Sequence, residues 1–152
     1  MNMLDWVRVN DTNLPREVER VKDKMKRIFG NYLDISPLAV NVRNMAKISG
    51  GTLIDFFISS EIKDIADLLL GEINEVVCAA FISSQGEIYL YLSAGSEGEY
   101  AYGIWKLEDD FILIEQGEDY EADWEESIKS HFLPFLLPNF VRGEEVIGEV
   151  EI

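Results

Sequence analysis

The run Asn74–Gln116, NEVVCAAFISSQGEIYLYLSAGSEGEYAYGIWKLEDDFILIEQ, is where the chain declares its fold. It divides into four strand-like pieces: NEVVCAAFIS, GEIYLYLS, EYAYGIWKL and FILIEQ. Each is rich in β-branched or aromatic residues. The breaks between them, SQG, AGSEG and EDD, are turn chemistry. Breaks this short cannot carry a crossover helix, so the four strands form an antiparallel meander. Within GEIYLYLS, Ile88, Leu90 and Leu92 alternate with Tyr89 and Tyr91. The aliphatic set faces a core, and the tyrosines face the other way.

Helical patterns flank this block. In LPREVERVKDKMKRIFGN, Val18, Val21, Met25, Ile28 and Phe29 recur at helical spacing. Pro15 suits a first helical position, acids precede bases along the helix, and Gly30 ends it. SEIKDIADLLLG is a short helix with Ser60 as its cap and Ile62, Ile65, Ala66 and Leu69 on one face. DWEESIKSHFLPFLLP is the last helix. Asp123 and Glu126 make a capping-box pair, Trp124, Ile128, Phe132 and Phe135 form the apolar face, and Pro134 kinks or shortens it. TLIDFFISS reads as a further strand. NYLDISPLAVNVRNMAKISGG fits either a strand or a short helix. The tail VRGEEVIGEVEI alternates after Gly143 and either adds an edge strand or stays loose. Strands in one block between helices imply a single α+β domain over residues 1–152. We expect an antiparallel sheet of four to six strands with helices mainly on one face.

The chain has 152 residues, 47% of them hydrophobic, which suffices for one domain with a real core. Its net charge is −16, from 29 acids and 13 bases. The charge is uneven. Residues 1–49 sum to +3, residues 50–96 to −6 and residues 97–152 to −13. A surface of this sign repels nucleic-acid phosphates and anionic membranes, so the expected partner is a basic protein. With no apolar leader at the start and no long apolar span, the expected compartment is the cytoplasm.

Catalytic chemistry finds little footing. The one histidine, His131, has no nucleophile in motif with it, and its ordinary role is a partly buried structural one. The one cysteine, Cys78, sits in an apolar run where a small buried side chain is expected. One His and one Cys cannot build a zinc site, and EDYEADWEE lacks the spacing of a calcium loop. No phosphate loop is present. Neither a cofactor nor a metal nor a catalytic residue is assigned.

Two features point to binding. The first is the strand tyrosines Tyr89, Tyr91, Tyr100 and Tyr102. Tyrosine is favoured at interfaces, but the same pattern arises on a sheet face covered by a helix. The second is the acids Glu108, Asp109 and Asp110 at one turn, with Glu118, Asp119 and Glu121 before the last helix.

The segments LPREVERVKDKM, FISSQGEIYLYL, YAYGIWKLEDDFILIEQ and WEESIKSHFLPFL together resemble the SUKH superfamily of bacterial immunity proteins. Its members open with a helix at Leu-Pro, continue into a sheet and close with a helix packed back on it. The resemblance implies neutralisation of a toxin by binding, with no active-site residues. The leading expectation is therefore a non-catalytic acidic protein-binding module. The alternative is an adaptor or chaperone-like subunit working as a homodimer through exposed apolar surface such as FLPFLLPNF.

Overall fold

The computed structural model describes residues 5–9, 12, 14–33, 40–48, 50–70, 75–96, 99–119 and 123–137. Seven strands lie in one sheet in chain order, β1 to β7, and every neighbouring pair is antiparallel. They are β1 (Val7–Arg8), β2 (Val42–Ile48), β3 (Gly51–Phe56), β4 (Glu75–Ile82), β5 (Ile88–Ser96), β6 (Glu99–Leu107) and β7 (Phe111–Asp119). The four strands read from Asn74–Gln116 are β4 to β7. The ambiguous segment resolves into β2, and β1 adds a short edge. The count thus exceeds the four to six expected, because two residues at Val7 pair with Asn44 and Met45. The alternating tail after Gly143 lies outside the described residues.

The pleat sorts side chains into two cores. On one face Ile54, Phe56, Cys78, Ala80, Ile82, Ile88, Leu90, Leu92 and Trp105 meet helix α1 (Arg16–Phe29) and helix α2 (Ser60–Leu70). Helix α1 sends in Val18, Val21, Met25, Ile28 and Phe29, the stripe its spacing foretold. Each such burial contributes about 1.5–3 kcal/mol of transfer free energy, as an upper bound. On the other face Leu53, Ala79, Phe81, Tyr91, Tyr102 and Ile104 meet Ile128, Phe132 and Leu133 of the C-terminal helix. Helices therefore cover both faces. The expectation of helices mainly on one face holds for α1 and α2 alone.

One helix cap differs from the sequence reading, and Gly30 ends α1 as expected but without a left-handed conformation. Ser59, not Ser60, caps α2, accepting from the Ile62 amide at 3.2 Å. Gly30 keeps a right-handed conformation at the end of α1, with φ −61°, and the chain leaves through a turn in which Asn31 and Tyr32 amides bond back to Ile28 and Phe29. Gly86 is where a left-handed conformation is required: with φ +87° it closes the β4–β5 hairpin.

The C-terminal helix runs through α3 (Trp124–Ser127), a π turn (Ile128–Phe132) and α4 (Leu133–Leu136). Asp123 caps it, its Oδ2 accepting from the Glu125 and Glu126 amides at 3.1 and 3.2 Å. Pro134 explains the π turn. A proline ring collides with the carbonyl four residues back, and widening one turn relieves that collision. The helix is neither broken nor shortened there; the Leu133 amide bonds to the Ile128 carbonyl five residues earlier. No helix among the described residues is long and apolar enough to cross a membrane.

Candidate functional site

The two candidate features fare differently. The tyrosine face is the covered one. Tyr91 is wholly buried and stacks on Phe132, with ring centroids 5.3 Å apart. Tyr102 is buried and stacks on His131 at 4.1 Å. Tyr89 is half-buried against Phe135, and Tyr100, also half-buried, donates its hydroxyl to Glu75. Tyr91 and Tyr102 thus belong to the interior, and the expectation that they meet a partner is corrected. The physical reason is the C-terminal helix, whose apolar side takes the place a partner would have filled.

Asp119 is corrected in the same way. It is completely buried, and it organises a polar network under the helix. Its Oδ2 accepts from Ser93 Oγ at 2.5 Å and Ser127 Oγ at 2.7 Å, and its Oδ1 meets His131 Nε2 at 2.9 Å. The Ser127 hydroxyl is committed to the carboxylate, so Tyr91 donates to Ser127 Oγ at 2.6 Å. Burial pushes the Tyr91 phenol far up and that of Tyr102 up to about 12, the latter helped by its bond to Glu115. The network contains Ser, His and Asp, yet it is not arranged as a nucleophilic triad. Both serine hydroxyls turn to the carboxylate, whereas a nucleophile must give its proton to the imidazole. The arrangement is that of a buried carboxyl group whose two oxygens are hydrogen-bonded to three side chains.

A second buried carboxylate anchors the opposite side of this face. A bulge leaves Arg43 without a partner residue between the pairs Val42–Phe56 and Asn44–Asp55. Bulges re-aim side chains. Here the guanidinium reaches buried Asp55 through Nε at 2.7 Å and Nη2 at 3.0 Å and lies 4.7 Å over the Trp124 ring. Trp6 packs edge-on against Trp124 and donates to Glu125 at 2.9 Å. Cys78 is buried in the α1–α2 core, and burial raises its thiol well beyond the reactive range. Among the described residues no group of three or more His, Cys, Asp or Glu is placed to hold a metal ion.

The acids of the β6–β7 turn are exposed. Lys106 bridges Glu108 at 3.2 Å and Glu87 at 3.4 Å, and those carboxylates raise its pKa. Asp110 Oδ1 accepts from the Tyr32 hydroxyl at 2.6 Å and the Phe111 amide at 2.8 Å. These two donors hold the Asp110 carboxyl below the usual aspartate range. Asp109 is exposed, as is Glu118 on β7. Glu121 lies outside the described residues.

Between the turn acids and Glu118 lies a feature that the sequence reading did not single out. Among the described residues strand β7 is the last strand of the sheet, and its Ile112, Leu113 and Ile114 are 41%, 48% and 46% exposed. Ile114 is a bulge: Trp105 pairs with Leu113 and Ile104 with Glu115, leaving it unopposed. Ile112 and Glu115 lie on the C-terminal helix side, and Leu113 and Glu118 on the α1–α2 side, by their pairing with β6. The edge therefore carries an apolar centre with acids at both ends. The sequence signal was the loss of alternation in Phe111–Ile114: four apolar residues in a row cannot all face one core.

A scan against protein-family models finds no match, and searches of characterised proteins and of solved structures likewise find no similar chain.

Proposed function

We propose that this protein is a non-catalytic binding module that holds a basic protein against the β6–β7 turn and the outer edge of β7. The observation that carries this reading is the acid–apolar–acid order of the edge: Glu108, Asp109 and Asp110, then Ile112, Leu113 and Ile114, then Glu115 and Glu118. Protein interfaces combine a desolvated apolar centre with a polar rim, and complementary charge speeds encounter and selects the partner. The net charge of −16, most of it in residues 97–152, is of the same sign.

The SUKH-like reading, neutralisation of a toxin by binding, is one form of this proposal. The adaptor reading has less support, because the described part of its apolar stretch is interior. Phe132 and Leu133 are fully buried, and Phe135 and Leu136 pack against the same cluster. The test is affinity capture from the protein's own cell lysate at low and high salt, with wild type and with the variant Glu108→Lys, Asp109→Lys, Asp110→Lys. A basic protein retained by wild type at low salt, lost at high salt and poorly held by the variant is the expected result. Equal retention by wild type and variant would remove the turn from the function.

A further inference from the structure

Helix α1 carries a second stripe besides its apolar one. Arg16, Arg20, Lys24 and Arg27 follow one another at spacings of four, four and three residues, so they share one side of the helix. The three arginines are exposed and Lys24 is half-buried. At about 1.5 Å of rise per residue the row runs about 16 Å, with steps of about 6 Å from Arg16 to Arg20 to Lys24. Among the described residues none of the four is ion-paired; the first-turn acid Glu17 is taken by Lys47. The β4–β5 turn places Arg20. Its Nη2 lies 3.1 Å from where a side chain on Gly86 would begin, so the left-handed glycine leaves the room that the guanidinium fills.

Helix stability does not account for this row. A helix favours acids in its first turn and bases in its last. Arg27 obeys that rule, but Arg16 holds the first helical position and Arg20 follows one turn on. Like charges four residues apart, as in Arg16–Arg20 and Arg20–Lys24, also repel one another. Residues that work against their own element are expected where function requires them.

We infer that this row is a second binding surface, opposite in sign to the β6–β7 turn, and that it takes an extended acidic segment of a partner protein with a carboxylate on every second residue. Alternate side chains of an extended chain repeat about every 6.6 Å, close to the helix's step of about 6 Å. Guanidinium groups grip carboxylates with two parallel hydrogen bonds, which suits a row built mainly of arginine. The row is one side chain wide, with Glu17 on one flank and Glu19 and Asp23 on the other. A narrow extended segment avoids those acids, whereas a helix or a nucleic-acid duplex meets them. The net charge of −16 also repels long polyanions and a second copy of this chain. The inference is independent of the acidic-edge reading, because the turn acids meet the chain beyond the far end of α1, through the Tyr32–Asp110 bond.

The test is an NMR titration of the full chain at low salt with a nine-residue peptide alternating glutamate and threonine, and separately with a single-stranded DNA of nine nucleotides. Two variants lose equal charge: Arg16→Gln with Arg20→Gln in the row, and Lys26→Gln with Lys63→Gln outside it. The expected result is that the peptide shifts the signals of Arg16, Arg20, Lys24 and Arg27. Its binding should weaken at least about fivefold in the first variant and stay within about twofold of wild type in the second. The wild-type shift map needs no variant, so a misfolded variant leaves the test intact. Equal weakening by both variants reduces the effect to bulk charge and overturns the site. Tighter binding of the DNA at the same signals overturns the acidic segment as occupant. No shift with the peptide, or the same shifts on concentrating the protein alone, also overturns the inference.

Discussion

Replacing Asp119 by alanine tests what holds the C-terminal helix to the sheet. The carboxylate sits on β7 and takes donors from Ser93 of β5, Ser127 of α3 and His131 of the π turn. Removing it leaves the buried hydroxyls of Ser93 and Ser127 without this acceptor, and the half-buried His131 ring without its carboxyl partner. Each unsatisfied buried donor costs about 1–3 kcal/mol, and a hydroxyl that rotates to another acceptor recovers part of that. The carboxylate's own desolvation is relieved at the same time, which reduces the sum. The expected net loss is about 2–4 kcal/mol, a large share of the roughly 5–15 kcal/mol by which a domain is stable. The sign is diagnostic. Deleting an acid from a chain of charge −16 lessens self-repulsion and by itself favours the compact state. Urea unfolding followed by Trp fluorescence and far-UV circular dichroism gives the midpoint and slope. Asp119→Asn keeps the shape and one acceptor oxygen, and should lose less. A loss below about 1 kcal/mol for Asp119→Ala would refute the view that this network is the helix anchor.

Two further outcomes follow from particular contacts. Gly103→Ala places a methyl group 2.3 Å from the ring of buried Trp105, so the indole must move; a loss of about 1–3 kcal/mol with a shifted Trp emission is expected in thermal unfolding. Tyr32→Phe removes the main cause of the low Asp110 pKa, so that pKa should rise toward the ordinary aspartate value in a carboxyl NMR titration. Because the folded pKa is depressed, the stabilisation from this contact is present above the unfolded value and is lost as pH falls through the folded one. An unchanged Asp110 titration would show that the hydroxyl does not bond there in solution.

Much of the fold was legible because local signals agreed. Short turns between β4 and β7 dictated the meander, and the period-2 alternation of Ile88–Leu92 placed the aliphatic residues on the α1–α2 face. The stripe of α1 was equally plain. What remained hidden depended on distance in the chain. Nothing in Tyr91 or Tyr102 says that a helix more than twenty residues later will cover them, although the final helix's own apolar face was visible. Asp119 looked like one more surface acid because Ser93 lies 26 residues before it and His131 twelve after it. The two bulges, at Arg43 and Ile114, leave no sequence mark, and each redirects a side chain that matters. The exposed edge Ile112–Ile114 was written in the sequence as part of the four consecutive apolar residues Phe111–Ile114, which the alternation rule alone flags as a misfit for a half-buried strand.

The most direct test of the central claim is zero-length carbodiimide cross-linking of the protein to the basic partner it captures at low salt, mapped by mass spectrometry. The account predicts lysines of the partner joined to Glu108, Asp109, Asp110, Glu115 or Glu118, and loss of those links when Ile112 and Leu113 are changed to lysine. Links confined to the acids of α1 or α2, unaffected by those changes, would contradict it.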